Sequence, residues 1–352
     1  MRNRSSLAIG VLLVCFASAA HAERPATPYV SESASIDGFE AKFIDVKGVR
    51  TRYYDEGAGE PLVLVHGGGG PTEGGYSANA NLWTPVLGRL AKRFRVLAPD
   101  KLGAGMTDDP KDLNDFTIAG EIQHIHDFIE TLGLKQVHLV GQSRGGGLAF
   151  LLAVQHPQLV KTLIIVNSST ASPPAGDDRT RRRERVFSVC QRSEARDDSI
   201  CGIEALSYQT DVPYNASLAA STAFLAKWNK EKGRRAPRTR EMWQRSDQLT
   251  SRMNAEAYLR IRLEGVLQMP TLLYWSMNDP SVLPQQAISL FNIIADTNPR
   301  ARLLFTNKAG HFHWREEPEE FSHTVMSFID YWNEALKGVE IKPPAEIFRP
   351  AS

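Results

Sequence analysis

Cysteine is scarce in this chain. Its 352 residues contain three, Cys15, Cys190 and Cys201, with no Cys-x-x-Cys pair and no His/Cys group at zinc-ligand spacing. That excludes a dense disulfide framework or a structural zinc site as the source of stability, and no metal or cofactor is implied. An excess of charge is also lacking. With 41 Lys and Arg against 40 Asp and Glu, the net charge of +1 supplies no global field for nucleic acid or an anionic membrane. The expected partner is a small molecule, neutral or anionic. Internal repeats are absent, and the apolar run Leu7 to Phe16 is too short for a bilayer, since about ten helical residues cover about half of a hydrocarbon core of ~30 Å.

That run instead has the layout of a secretory signal peptide. Arg2 and Arg4 precede it, and small residues ending Ala20-His21-Ala22 follow, so residues 1–22 are expected to be removed and the protein exported to a periplasmic or extracellular space, with no membrane anchor remaining. Val14 stands before Cys15 where lipid attachment needs a small residue. Cleavage leaves Cys190 and Cys201, which either pair in an oxidising compartment or remain two thiols.

The rest reads as a globular α/β chain, with 42% hydrophobic and 23% charged residues. AKFIDVKG and VRTRYYDEG alternate around a glycine turn as a hairpin does. The runs PLVLVH, FRVLAPD, VHLVGQS, KTLIIVN, PTLLYW and ARLLFTN are continuously apolar and separated by longer segments. FTIAGEIQHIHDFIETLG, LPQQAISLFNIIAD and PEEFSHTVMSFIDYWNEAL carry helical period. Strands alternating with helices predict a mostly parallel sheet covered on both faces. A long stretch without an obvious strand lies between KTLIIVN and PTLLYW, too long for an ordinary connection. The expected organisation is a core over 37–170 and 269–336, an inserted helical domain over 171–268 and a loose tail over 337–352. The insert carries RTRRRERVF and EKGRRAPRTR, which serve either as a solvated basic face or to attract an anionic substrate.

Chemistry concentrates at Gly141-Gln142-Ser143-Arg144-Gly145, a G-x-S-x-G between the strand VHLV and the helix LAFLLAVQH. A sharp strand-to-helix turn there exposes the serine hydroxyl, provided its flanking neighbours are small. A serine becomes nucleophilic only when a base takes its proton and an acid orients that base. His311 follows the strand ARLLFTN and Asp279 follows PTLLYW, each one loop beyond a strand end. Ser143, Asp279, His311 is the chain order such an elbow requires. The rival base His313 and the rival acids Asp296 and Asn167 are less well placed or lack a carboxylate. His66, His124, His126 and His138 read as structural. Donors for an oxyanion are expected from the N–H of Arg144 and of Gly68 or Gly69 in His66-Gly67-Gly68-Gly69-Gly70. A phosphate loop is disfavoured because no Lys-Ser or Lys-Thr follows.

VLVHGGGGP, RVLAPDKLGAGMTDDP, HLVGQSRGGG, WSMNDPSVLP and AGHFHWREEPEEF together resemble the alpha/beta-hydrolase superfamily, over about Asp37 to Leu336. The resemblance implies an eight-stranded, mostly parallel sheet, a helical cap inserted after the sixth strand, and the Ser143, Asp279, His311 triad. Within the superfamily the motifs are most similar to hydrolases of carbon–carbon bonds in ring-fission products, with some likeness to proline iminopeptidases. Gln142 departs from the asparagine usual before the serine, and Phe312 stands where tryptophan often follows the histidine. An aspartate nucleophile would have indicated dehalogenases or epoxide hydrolases. Export favours an external ester or lactone as substrate, so the leading expectation is a carboxylic-ester hydrolase working through an acyl-enzyme. Carbon–carbon hydrolysis and amide hydrolysis are the alternatives, and an intact triad argues against a non-catalytic binding module. Gln142, Arg144 and Phe312 are candidate substrate contacts, with Arg144 either binding a substrate carboxylate or pairing with a nearby acid.

Overall fold

The computed structural model describes residues 38–70, 78–174, 206–208 and 239–339. The expected signal segment, Cys190 and Cys201, and most of the expected insert lie outside the described residues.

All the expected strands form: β1 Lys42–Val46, β2 Val49–Glu56, β3 Pro61–Val65, β4 Arg95–Pro99, β5 Val137–Gln142, β6 Val160–Val166, β7 Thr271–Ser276 and β8 Ala301–Thr306. They make one sheet in the order β1-β2-β4-β3-β5-β6-β7-β8. The β1–β2 hairpin and the β2–β4 pair are antiparallel, and every other pair is parallel. The described helices are α1 Thr84–Leu90, α2 Ile118–Thr131, α3 Arg144–Gln155, α4 Arg240–Glu264, α5 Pro284–Ala295, α6 His313–Glu316 and α7 Pro318–Ala335.

The continuous apolar runs follow from burial on both faces. Side chains alternate across a strand, so Val63, Val65 and Leu139 enter one core with Ile125 and Phe128 of α2 and Leu152 of α3. Leu62, Leu64 and Val140 enter the opposite core with Leu87 of α1 and Phe321 and Ile329 of α7. A helix start is signalled at α2 by Thr117, whose hydroxyl accepts from Gly120 N, and a helix stop at α4 by Gly265 in left-handed conformation.

Residues 240–264, expected within the insert, form one helix with two neighbourhoods. Ala257 and Ile261 belong to the α3–α5 core layer. Nearer its start, Ser246 Oγ accepts from Ile118 N and Trp243 lies against Arg144, so this end reaches the turn after β5.

Candidate active site

Ser143 stands between β5 and α3 at φ 52°, ψ −123°, a conformation that favours glycine in other settings and costs about 1–3 kcal/mol for other residues. The surroundings impose it. Ser143 N donates to Val166 O at 2.9 Å, while Ser143 O accepts from Gly146 N at 2.9 Å. The flanking glycines are steric requirements: a Cβ on Gly141 would lie 2.3 Å from Gly145 O, and one on Gly145 would lie 2.4 Å from both Val65 O and His66 O. Arg144 is the first residue of α3, where backbone N–H groups have no partner within the helix.

Asp279 and His311 meet from separate loops. His311 Nδ1 lies 2.6 Å from Asp279 Oδ2. The other oxygen, Oδ1, accepts from Ser281 N, Ser281 Oγ and Val282 N at 2.8, 2.8 and 3.0 Å, which fixes the carboxylate plane and leaves Oδ2 for the imidazole. Asp279 is fully buried, as His311 is apart from a 5% exposure. Nε2 of His311, the nitrogen a serine proton must reach, lies 2.9 Å from Nε2 of the Gln142 side chain.

Several anchors of the His311 loop carry no local sequence signal. Asn167, without a carboxylate, donates from Nδ2 to Gly310 O and His311 O, each at 3.2 Å, and accepts from Ser276 N at 2.8 Å. It ties the ends of β6 and β7 to the histidine. Glu316 accepts from Gly310 N and Tyr208 N, both at 2.9 Å, and Leu206 O accepts from His311 N at 2.8 Å. A short described piece of the insert is thereby pinned onto the loop. Phe312 is buried, edge-on to the His311 ring at 5.1 Å.

The glycine loop has Gly68, Gly69 and Gly70 at φ 58°, 75° and 80°. A Cβ on Gly67 would lie 2.1 Å from Gln142 Oε1 and 3.0 Å from Ser143 Cβ, so the loop lies directly against the elbow. His66 is structural: Nδ1 lies 2.7 Å from Gly67 O, and Nε2 accepts from Lys101 N at 3.1 Å. Burial, reinforced by the Lys101 charge, holds this imidazole well below its ordinary pKa.

Arg144 takes the second of its two expected roles. Its Nη2 lies 2.6 Å from Glu121 Oε2 and its Nε donates to the same oxygen at 2.9 Å. The guanidinium thus pairs with Glu121, as burial of both groups makes an unpaired charge costly. Burial pushes the Glu121 carboxyl up, but Arg144 and Lys101 outweigh it and hold the group below its ordinary value. Nothing in the local sequence points to Lys101 and Glu121 as partners of the site. Glu121 offers the one signal of a charge on the apolar face of a helix, whereas Lys101 follows Asp100 in a loop and offers none.

The other histidines are occupied elsewhere. His313 Nδ1 lies 2.8 Å from Ser276 Oγ, and burial pushes this ring down to about 3. His124 Nε2 lies 2.9 Å from Thr51 Oγ1, His138 Nδ1 lies 2.9 Å from Thr162 Oγ1, and the His126 ring packs 4.2 Å from His156. Asp296 caps the end of α5 and pairs with Arg262.

An eight-stranded, largely parallel sheet with a strained serine on the β5–α3 turn, next to the Gln142 whose amide reaches the histidine of a histidine–aspartate pair, defines a hydrolase class. The alpha/beta hydrolase fold family model matches residues 60–317, and the chain belongs to that family. Among its relatives is a 2-hydroxymuconate semialdehyde hydrolase of Pseudomonas sp. (strain CF600), 30% identical over 80% of this chain and 91% of its own. Haloalkane dehalogenase 2 of Mycobacterium bovis is 27% identical over 82% of this chain and 94% of its own. Among solved structures, a serine hydrolase involved in carbazole degradation is 26% identical with a TM-score of 0.58, covering 83% of this chain and 99% of its own.

Proposed function

We propose that this protein is a serine-dependent hydrolase of carbon–carbon bonds in conjugated 2-hydroxy-dienoates bearing a carbonyl, a vinylogous diketone class. This replaces the carboxylic ester as the leading reading. The observation that carries it is the near full-length similarity to the 2-hydroxymuconate semialdehyde hydrolase, together with a serine at the elbow where dehalogenase chemistry would call for an aspartate.

Breaking a carbon–carbon bond hydrolytically requires a carbon leaving group that can accept electrons. The dienol provides one once it takes up a proton at the carbon next to the carbonyl and becomes a 2-keto acid. In this reading His311, which Asp279 holds at 2.6 Å, moves that proton. Ser143 Oγ then adds to the carbonyl carbon and gives its proton to His311 Nε2, and the oxyanion is held by the N–H of Arg144 and of the glycine loop. Collapse of the tetrahedral adduct breaks the bond, its electron pair flowing into the 2-keto system as an enolate that His311 protonates. Water, deprotonated by His311, hydrolyses the acyl group from Ser143.

Support for small-molecule hydrolysis does not depend on where the protein acts. The residues 1–22 signal remains part of the proposal, which expects a mature N-terminus at Glu23 in secreted or periplasmic protein.

The test is a side-by-side assay on a coloured ring-fission dienoate and on nitrophenyl esters of increasing chain length. A kcat/KM for the dienoate at least tenfold above every ester is expected. Rapid ester turnover with an inert dienoate would return the function to ester hydrolysis. Loss of both activities, and of fluorophosphonate labelling, in Ser143→Ala checks the nucleophile.

A further inference from the structure

Lys101 is an unusual residue to find beneath a glycine loop. Its side chain is fully buried, and Nζ donates to Gly68 O. The same nitrogen is 3.7 Å from Glu121 Oε1, the carboxylate that also binds Arg144 at 2.6 Å. A Cβ built on Gly69 would lie 3.3 Å from both Cε and Nζ of Lys101, and one on Gly70 would lie 2.8 Å from Arg144 Nε. The loop therefore runs between the elbow, which Gly67 abuts, and two cations anchored on one carboxylate of α2.

The peptide unit from Gly68 to Gly69 is trans, as are all described peptide bonds. In a trans unit the C=O and N–H point in opposite directions. Anchoring Gly68 O on Lys101 thus turns Gly69 N–H to the side away from the lysine. The ammonium also polarises that peptide, making its N–H a stronger donor.

We infer that Lys101 is a positioning residue for the oxyanion site, holding Gly68 O so that Gly69 N–H serves as the glycine-loop donor. Glu121 references this donor and the one on Arg144 to a single point: it holds Lys101 beneath the loop and the Arg144 guanidinium at the start of α3. The inference rests on Ser143 being the nucleophile.

Lys101 faces Glu121 from α2, Arg144 from α3 and His66 from the end of β3, with the Arg52–Asp100 pair beside it. Burial, opposed by Glu121 and reinforced by Arg144, brings Lys101 down to about 8. Burial and the Lys101 charge hold His66 well below its ordinary value. Above about pH 8 the amine still donates to Gly68 O, but its charge, and with it the polarisation of the Gly68–Gly69 peptide, is lost.

The experiment compares wild type with Lys101→Met and Lys101→Gln in three readouts: steady-state hydrolysis, fluorophosphonate labelling of Ser143 by mass, and thermal melting. Removing one oxyanion donor costs on the order of 10²-fold or more in kcat. Lys101→Met is expected to lose about that in kcat and in labelling rate, with KM within about threefold. Lys101→Gln, which retains a donor to Gly68 O without the charge, is expected to recover at least tenfold of it. In wild type the labelling rate should fall above about pH 8, which can be read even if Lys101→Met does not fold. Equal labelling of wild type and both variants, or a wild-type rate flat from pH 7 to 9.5, overturns the inference alone. Absence of labelling in wild type overturns the Ser143 reading and this inference with it.

Discussion

The amide nitrogen of Gln142 lies 2.9 Å from Nε2 of His311, on the ring edge opposite the 2.6 Å contact with Asp279. With Nδ1–H directed at the carboxylate, Nε2 carries the lone pair and the amide donates to it. In the proposed reaction the same lone pair accepts the Ser143 proton, so Gln142 and the nucleophile compete for one atom. A neutral hydrogen bond is worth about 0.5–1.5 kcal/mol net, a factor of roughly 2 to 10. Gln142→Ala is expected to raise the rate of fluorophosphonate labelling by that factor. A fall in rate would show that the amide instead orients the ring productively.

Asp279→Asn keeps the shape of the acid but removes its charge, leaving His311 free to adopt the wrong tautomer. A loss in kcat on the order of 10⁴ is expected, with the melting temperature little changed. Asn167→Ala should behave differently, because it releases Gly310 O, His311 O and Ser276 N together. It should lower both kcat and thermal stability, by about 1–3 kcal/mol for the buried groups left unpaired.

At Gly145 a methyl group would press on Val65 O and His66 O at 2.4 Å, both rigid backbone atoms. Gly145→Ala is expected to destabilise the fold by about 1–3 kcal/mol or more, seen as a lowered urea midpoint. A wild-type midpoint would mean that the β3–α3 contact is looser than these distances indicate.

Burial holds His124 down to about 4 and His313 down to about 3, against an ordinary value of 6.5. Below 6.5 the unfolded chain binds protons that the folded chain refuses, so stability falls as the pH drops toward 4 and then 3. Urea unfolding from pH 7.5 to 4.5 should show this decline, and His124→Gln should make it shallower. An unchanged slope in that variant would remove His124 as a cause.

How far the site could be read from sequence differs by residue. The strand–serine–helix order around Ser143 is a local pattern, and the loop after each of β7 and β8 locates Asp279 and His311, because a parallel sheet gathers its carboxyl ends on one edge. Gln142 and Phe312 were visible as departures from relatives, but nothing local revealed that Gln142 reaches His311. Arg144 had two roles open. Only the approach of α2 decided for Glu121, 23 positions earlier in the chain.

The sequence by itself determined the strands, the alternation that sets the sheet, and the identity and order of the residues proposed as nucleophile, acid and base. These follow from periodicity and from residue chemistry at fixed offsets, which are properties of short segments. Tertiary structure decided the partners of buried charge and amide groups: Arg144 and Lys101 on Glu121, Asn167 beneath His311, Glu316 on Gly310. Each joins elements distant in the chain, and the cost of leaving such a group unpaired is felt only when those elements pack together and exclude water.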